Sequence, residues 1–160
     1  MDDGHMVSVL IAESTRTVRT PATVGRRTPM HCTAVGKAML AHVSDPIRDM
    51  VLAEYPRRAR TRRTLVTRAA VMAELARVRA RGYAVDDEEI EVGLRCIGAP
   101  VRNHSGLVIA AVSIAGPAFR LSRKRVPALA RVVMTGAARL SADLGYRPAL
   151  LRARAGSAAV

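Results

Sequence analysis

Residues 82–117 read GYAVDDEEIEVGLRCIGAPVRNHSGLVIAAVSIAGP, and this stretch decides the fold. Tyr83 to Val85 is a short β-favouring run. It leads into an acidic turn that holds five of the chain's thirteen acidic residues, Asp86, Asp87, Glu88, Glu89 and Glu91. Arg95 to Val101 is apolar and β-favouring, RNHSG supplies turn chemistry, and Leu107 to Ala115 is apolar again before Gly116 and Pro117 stop it. A β-hairpin with a further strand beside the acidic turn is the expectation. Cys96 and Ser113 are the small polar exceptions in the hairpin. Near a fixed carboxylate, such side chains are what a buried pocket for a small polar ligand needs.

Helices flank this stretch. Upstream, Thr67 is placed to cap a helix in which Val71, Leu75 and Val78 share a face, and Gly82 stands where a left-handed C-terminal cap belongs. Downstream, Ser122 is placed to cap a long helix. Its apolar residues Val126, Leu129, Val133, Ala137, Leu140 and Leu144 recur every three or four positions, and Gly145 ends it. Thr33 is expected to cap a helix from Ala34 to about Val43, and Ser44-Asp45-Pro46 to start another that ends before Pro56. Near the start, MVSVLIA (Met6 to Ala12) and the extended TRTVRTPATVG (Thr15 to Gly25) read as two strands. Two strands, three helices, three strands and one long helix make an α+β pattern with a largely antiparallel sheet. Residues 1–146 read as one domain, and 147–160, rich in Ala, Arg and Gly, as a loose tail.

The composition narrows the function classes. The 49% hydrophobic content argues against disorder, yet Tyr55, Tyr83, Tyr146 and Phe119 are the only aromatics. The core must therefore be aliphatic, and nucleic-acid binding on stacked aromatic platforms is disfavoured. The net charge is +13, and all basic residues but Lys37 and Lys124 are arginines. The densest run, RRARTRR (Arg57 to Arg63), falls in a predicted loop. It reads either as a solvated connection or as the core of a non-specific nucleic-acid-binding surface. Two cysteines, Cys32 and Cys96, exclude a disulfide framework or a four-cysteine zinc site within one chain. No signal-like opening and no apolar run near the roughly 20 residues of a bilayer span are present, so a cytoplasmic protein with no membrane partner is expected.

Several residues could carry chemistry. TPMHCTAVGKAMLAH (Thr28 to His42) contains Gly36-Lys37 but is no phosphate loop, because His31 stands where such a loop needs glycine and Ala38 where it needs Ser or Thr. Ala34, Val35 and Gly36 instead form a small-residue helix start, suited either to close approach of a ligand or to tight packing. Cys96 could act as a nucleophile with His31 or His104 as base, although a lone cysteine in an apolar strand is more often a core residue. His31, Cys32, Asp86 and Cys96 are metal-competent types without paired ligand spacing. Asp86 directly follows the β-type run and is placed to orient a ligand or cap the turn. Glu88, Glu89 and Glu91 are expected to face solvent or answer arginines.

Three separated segments in one order resemble the IclR (isocitrate lyase regulator) family of bacterial transcription factors: GRRTPMHCTAVGKAMLAH, then RARGYAVDDEEIEVGLRCIGAPVRNHSGLVIAAVSIAGP, then a helix ending SADLGY. The resemblance runs from about Asp3 to Tyr146 and is to the C-terminal, effector-binding domain. It implies a GAF-like fold with a small-molecule cup, no enzyme activity and no cofactor. It also implies a homo-oligomer, a dimer or a tetramer, that reaches DNA only through an N-terminal winged helix-turn-helix domain absent from this chain. The family's first helix and first strand are expected to precede Asp2. Carried over, the effector contacts fall on Ala34 and Val35 with Gly36 adjoining, on Asp86, Leu94 and Cys96, and on Ser113 and Ala115. Several family members have serine where Ala115 stands, so a hydroxyl is missing here.

Overall fold

In this computed structural model, which describes residues 4–20 and 22–148, the alternation along the central strand sorts the molecule into two halves. Strands β1 (His5–Val7) and β2 (Arg27–Pro29) pair antiparallel, and β3 (Ala84–Asp87), β4 (Leu94–Arg102) and β5 (Val108–Pro117) form a second antiparallel sheet in the order β3-β4-β5. Helices α1 (Ala34–Leu40), α2 (Asp45–Glu54) and α3 (Arg68–Arg81) lie between the sheets in sequence. After β5 a short 3-10 turn (Arg123–Arg125) leads into α4 (Val126–Asp143). The element order is the expected one, and the fold is α+β.

Successive side chains of a strand point to opposite faces. On β4, Ile97, Ala99 and Val101 are buried against Ala130, Val133 and Ala137 of α4. The alternate positions Leu94, Cys96 and Gly98 face the other way, toward α1. A second cluster, built on Met30, Leu40, Val71, Leu75 and Val78, packs α1, α2 and α3 together. Both clusters are almost wholly aliphatic, as the shortage of aromatics requires.

Two glycines let α1 lie close to its neighbours. A Cβ on Gly98 would stand 2.9 Å from the carbonyl carbon of Ala34, and one on Gly36 only 2.3 Å from the Met30 Cα. Both contacts are to backbone, which cannot swing aside. Gly36→Ala is therefore expected to destabilise by about 3 kcal/mol, seen as a fall in Tm of roughly 6–12 °C. A Tm within 2 °C of wild type, by the same scale, would show that α1 tolerates displacement.

Thr33 and Thr67 cap their helices as expected, their hydroxyls accepting from the amides of Gly36 and Ala70, and Gly82 takes the left-handed conformation at φ 83. Ser44 and Ser122 make no side-chain cap bond, and the 3-10 turn separates Ser122 from α4. The N-terminal strands also differ from expectation. Pairing stops at Val7 instead of Ala12, and its partner is Arg27–Pro29 and not Thr15–Gly25, which carries no strand among its described residues. The segment is β-branched and extended, but its backbone bond to the β1 side, the Gly25 amide donating to the Ser8 carbonyl at 2.8 Å, is too little to make a strand. Of the proposed tail, residues beyond 148 lie outside the described residues.

Candidate functional site

Strand register assembles the site. Asp86 pairs with Cys96, Cys96 with Ala115, and Gly98 with Ser113, so one cross-strand row runs from a carboxylate through a thiol to a methyl group, with a hydroxyl beside it. Because all four lie on the face opposite α4, they look toward the start of α1. Between them lies a cavity of about 610 Å³, within the range of small-molecule sites. Ala34, Val35, Asp86, Leu94, Cys96, Ser113 and Ala115 all line it. Gly36 does not; it is the close-packing position one residue behind the lining. Thr33, Ile90 and Leu121 also contribute, and the loop after β1 closes one side with Ile11, Arg16, Val18 and Arg19. Arg120 reaches that loop, donating to the Val18 carbonyl at 2.9 Å. Thr33 could have been found as the cap adjoining Ala34. Nothing local in the sequence marks the loop.

The acidic turn is built around Asp86, which is fully buried. Its Oδ1 accepts from the backbone amides of Glu89 at 2.8 Å and Ile90 at 3.3 Å, which closes the turn as an aspartate commonly does. Its Oδ2 is buried and has no hydrogen-bond partner among the described residues. Burial, and then the Glu89 carboxylate, push Asp86 up from its ordinary 3.8 to about 6, against the two amides and Lys37, which act the other way. Across the row, burial and Asp86 drive the Cys96 thiol well above the ordinary range. Cys32, beside the same acids, is pushed up to about 12, chiefly by burial.

Lys37 and Glu89 form the second buried feature. Lys37 is fully buried, and Glu89 is 6% exposed. The Lys37 Nζ donates to Glu89 Oε1 and to the Val85 carbonyl, the latter at 2.6 Å. Glu89 was expected at the surface and is instead an internal partner, because the turn that Asp86 closes folds the chain back under α1. Glu88 answers an arginine as expected, binding Arg63 at 2.9 Å, and Asp87 binds Arg95 and Arg123. Burial opposes ionisation of Asp87, but these arginines outweigh it and hold its pKa low.

The geometry gives no support to the other chemical readings. A low-pKa thiol is the usual mark of a reactive cysteine, and Cys96 is shifted the opposite way. His31 and His104 are not on the cavity that Cys96 lines. The His31 ring meets the Arg58 carbonyl at 3.3 Å, and burial pushes its pKa down. Among the described residues no group of three or more His, Cys, Asp or Glu is placed to hold a metal ion. No described helix is long and apolar enough to cross a membrane. In the arginine-rich run, Arg57 donates to the Val66 carbonyl at 3.0 Å, and Arg63 is tied to the acidic turn.

Comparison with known proteins bears on the family and the fold. A family model described as "Bacterial transcriptional regulator IclR C-terminal" matches residues 1–142. The HTH-type transcriptional regulator KdgR of Escherichia coli (strain K12) is 35% identical over 146 residues, covering 91% of this chain and 56% of that protein. The crystal structure of the Thermotoga maritima IclR superposes with a TM-score of 0.86 at 30% identity, over 91% of this chain and 59% of that one. The PobR inducer-binding domain from Acinetobacter, solved as a double mutant with 3-hydroxybenzoic acid, shares the fold with a TM-score of 0.77 at 24% identity, over 88% of this chain and 83% of that one. The chain spans about half the length of the curated relatives it matches.

Proposed function

The chain belongs to the IclR family of bacterial transcriptional regulators, matching its C-terminal domain, and we propose that it senses a small organic acid or aromatic metabolite in the cavity between α1 and the β3-β4-β5 sheet. The observation that carries this reading is Asp86: a fully buried carboxylate, lining the cavity, with one oxygen unpartnered among the described residues. An unmatched buried acceptor is costly unless something donates to it. The Cys96 thiol facing it is a weak donor. A ligand hydroxyl or amine would fill that role, while at the other end Arg16, Arg19, Arg26 and Arg120 outnumber the one lining carboxylate there, Glu13, which pairs with Arg19 at 3.6 Å, and so favour an acid group. In PobR, a protein of the same fold, the bound molecule carries both a hydroxyl and a carboxyl group.

The domain does no catalysis and needs no cofactor. It acts in the cytoplasm as part of a homo-oligomer, and the ligand shifts that oligomer between arrangements that bind DNA through winged helix-turn-helix domains and arrangements that do not. For that, the ligand must prefer one arrangement over the other. Backbone NMR during titration with 3-hydroxybenzoate and a panel of small hydroxy acids tests the location. The amides of Ala34, Val35, Cys96 and Ser113 are expected to shift together. Shifts confined to residues 57–63 would place binding on the arginine-rich loop and refute the cavity.

A further inference from the structure

The two walls of the cavity belong to chain segments some fifty residues apart, and one buried contact joins them from behind. Ala34 and Val35 open α1; Lys37 lies one turn further along the same helix. Asp86 lies next to the end of β3, and Glu89 donates its own amide to the Asp86 carboxylate at 2.8 Å. Lys37 and Glu89 bind each other, and Lys37 also holds the Val85 carbonyl, the residue directly before Asp86. Neither Lys37 nor Glu89 lines the cavity.

We propose that Lys37 and Glu89 are positioning residues for ligand recognition: a buried clamp that fixes the start of α1 against the Asp86 turn and so sets the width of the cavity and the aim of the Asp86 carboxylate. The proposal rests on the sensing function given above. Three further observations support a clamp on this turn and not simply a core filler. Glu88 is held at φ 63, a left-handed conformation that a glutamate adopts only when its surroundings impose it. The Thr64 and Thr61 hydroxyls donate to the Glu89 and Glu88 carbonyls at 2.6 and 2.7 Å, so the turn is held from the loop side as well. A buried ion pair is also an inefficient way to gain stability, since well-packed apolar residues of similar volume often do as well or better. The role of the pair is then the geometry it imposes.

Lys37→Met/Glu89→Leu replaces the pair by apolar side chains and is expected to keep the wild-type Tm within about 5 °C. Calorimetric binding of 3-hydroxybenzoate and the hydroxy-acid panel is compared across wild type, this double variant and Glu89→Gln, which keeps the shape and a hydrogen bond to Lys37. The clamp predicts roughly tenfold or greater loss of affinity in the folded double variant, with Glu89→Gln in between. The pH profile of affinity is also expected to move, since Asp86 is faced by Lys37 from α1, Glu89 from its own turn, Cys96 from β4 and Cys32 from the segment before α1. If wild type binds and the folded double variant binds equally well with an unchanged profile, the pair is structural only and the clamp is refuted while the sensing function stands. If the double variant does not fold, affinity and pH profile in Glu89→Asp, which keeps the counter-ion of Lys37 but shortens its reach, decide in the same way. If wild type binds nothing in the panel, the sensing reading fails and the clamp falls with it.

Discussion

Lys37→Met alone is expected to cost about 3–5 kcal/mol of folding stability, because it strands the Glu89 carboxylate in the interior without its counter-ion. Both partners are almost fully inaccessible, and Glu89 Oε2 already has no partner among the described residues. Against the 5–15 kcal/mol typical of a domain, such a loss brings the variant close to unfolding at ambient temperature. Burial raises the Glu89 pKa, and only Lys37 strongly opposes that rise. The stranded group should therefore take up a proton, and the gap to wild type should narrow as pH falls and close near about pH 4, the ordinary glutamate range. Urea unfolding of variant and wild type at pH 7 and pH 4 measures both effects. A change under about 1 kcal/mol at pH 7 would show that the pair is solvated in practice, since exposed pairs are worth no more than that.

The second large effect is a pH dependence carried by Asp86. Its folded-state pKa of about 6 lies above its ordinary 3.8, so the folded protein holds this proton more tightly than the unfolded chain. The stability it contributes is fully present below about pH 4 and is lost as pH rises through about 6. At 1.36 kcal/mol for each tenfold in proton affinity, the gap corresponds to about 3 kcal/mol. Asp86→Asn keeps the shape and an oxygen for the two turn amides but cannot ionise. It is expected to match wild type at pH 4 and to exceed it by up to about 3 kcal/mol at pH 7. Denaturant unfolding of both proteins across pH 4–8 tests this. Parallel profiles would mean that Asp86 is as easily ionised folded as unfolded. Glu89, shifted in the same direction, leaves a residual slope of the same sign in both proteins. Wild-type stability thus yields to a charged carboxylate at the cavity, a cost often met at binding sites.

Much of this was legible in the sequence, for identifiable reasons. The hairpin and the long helix announced themselves because apolar periodicity and turn residues agreed locally, even though Ser122 does not cap the helix, and Cys96 and Ser113 stood out as small polar side chains in apolar strands. The helix start at Thr33 was legible from its cap. What was missed depended on contacts between distant segments. Glu89 has the local signature of a solvated glutamate, and only the meeting of α1 with the acidic turn, fifty-two residues apart in sequence, makes it an interior group. Lys37 sits in a segment that resembles a phosphate loop without being one, yet a lysine amid small apolar helix residues already needs an internal partner. The loop that closes the cavity carries the β-branched residues of a strand pattern, but its backbone pairing stops near Ser8 and Gly25.

Thermal unfolding of the intact chain against a panel of small hydroxy acids and hydroxybenzoates tests the central claim most directly. A ligand at about a hundred times its Kd should add roughly 2.7 kcal/mol, and so raise Tm by roughly 5–10 °C. The account predicts such a shift for at least one compound bearing both an acid and a hydrogen-bond donor, and its loss in Asp86→Ala and Ser113→Val. A shift that survives both substitutions, or no shift with any compound, would contradict it.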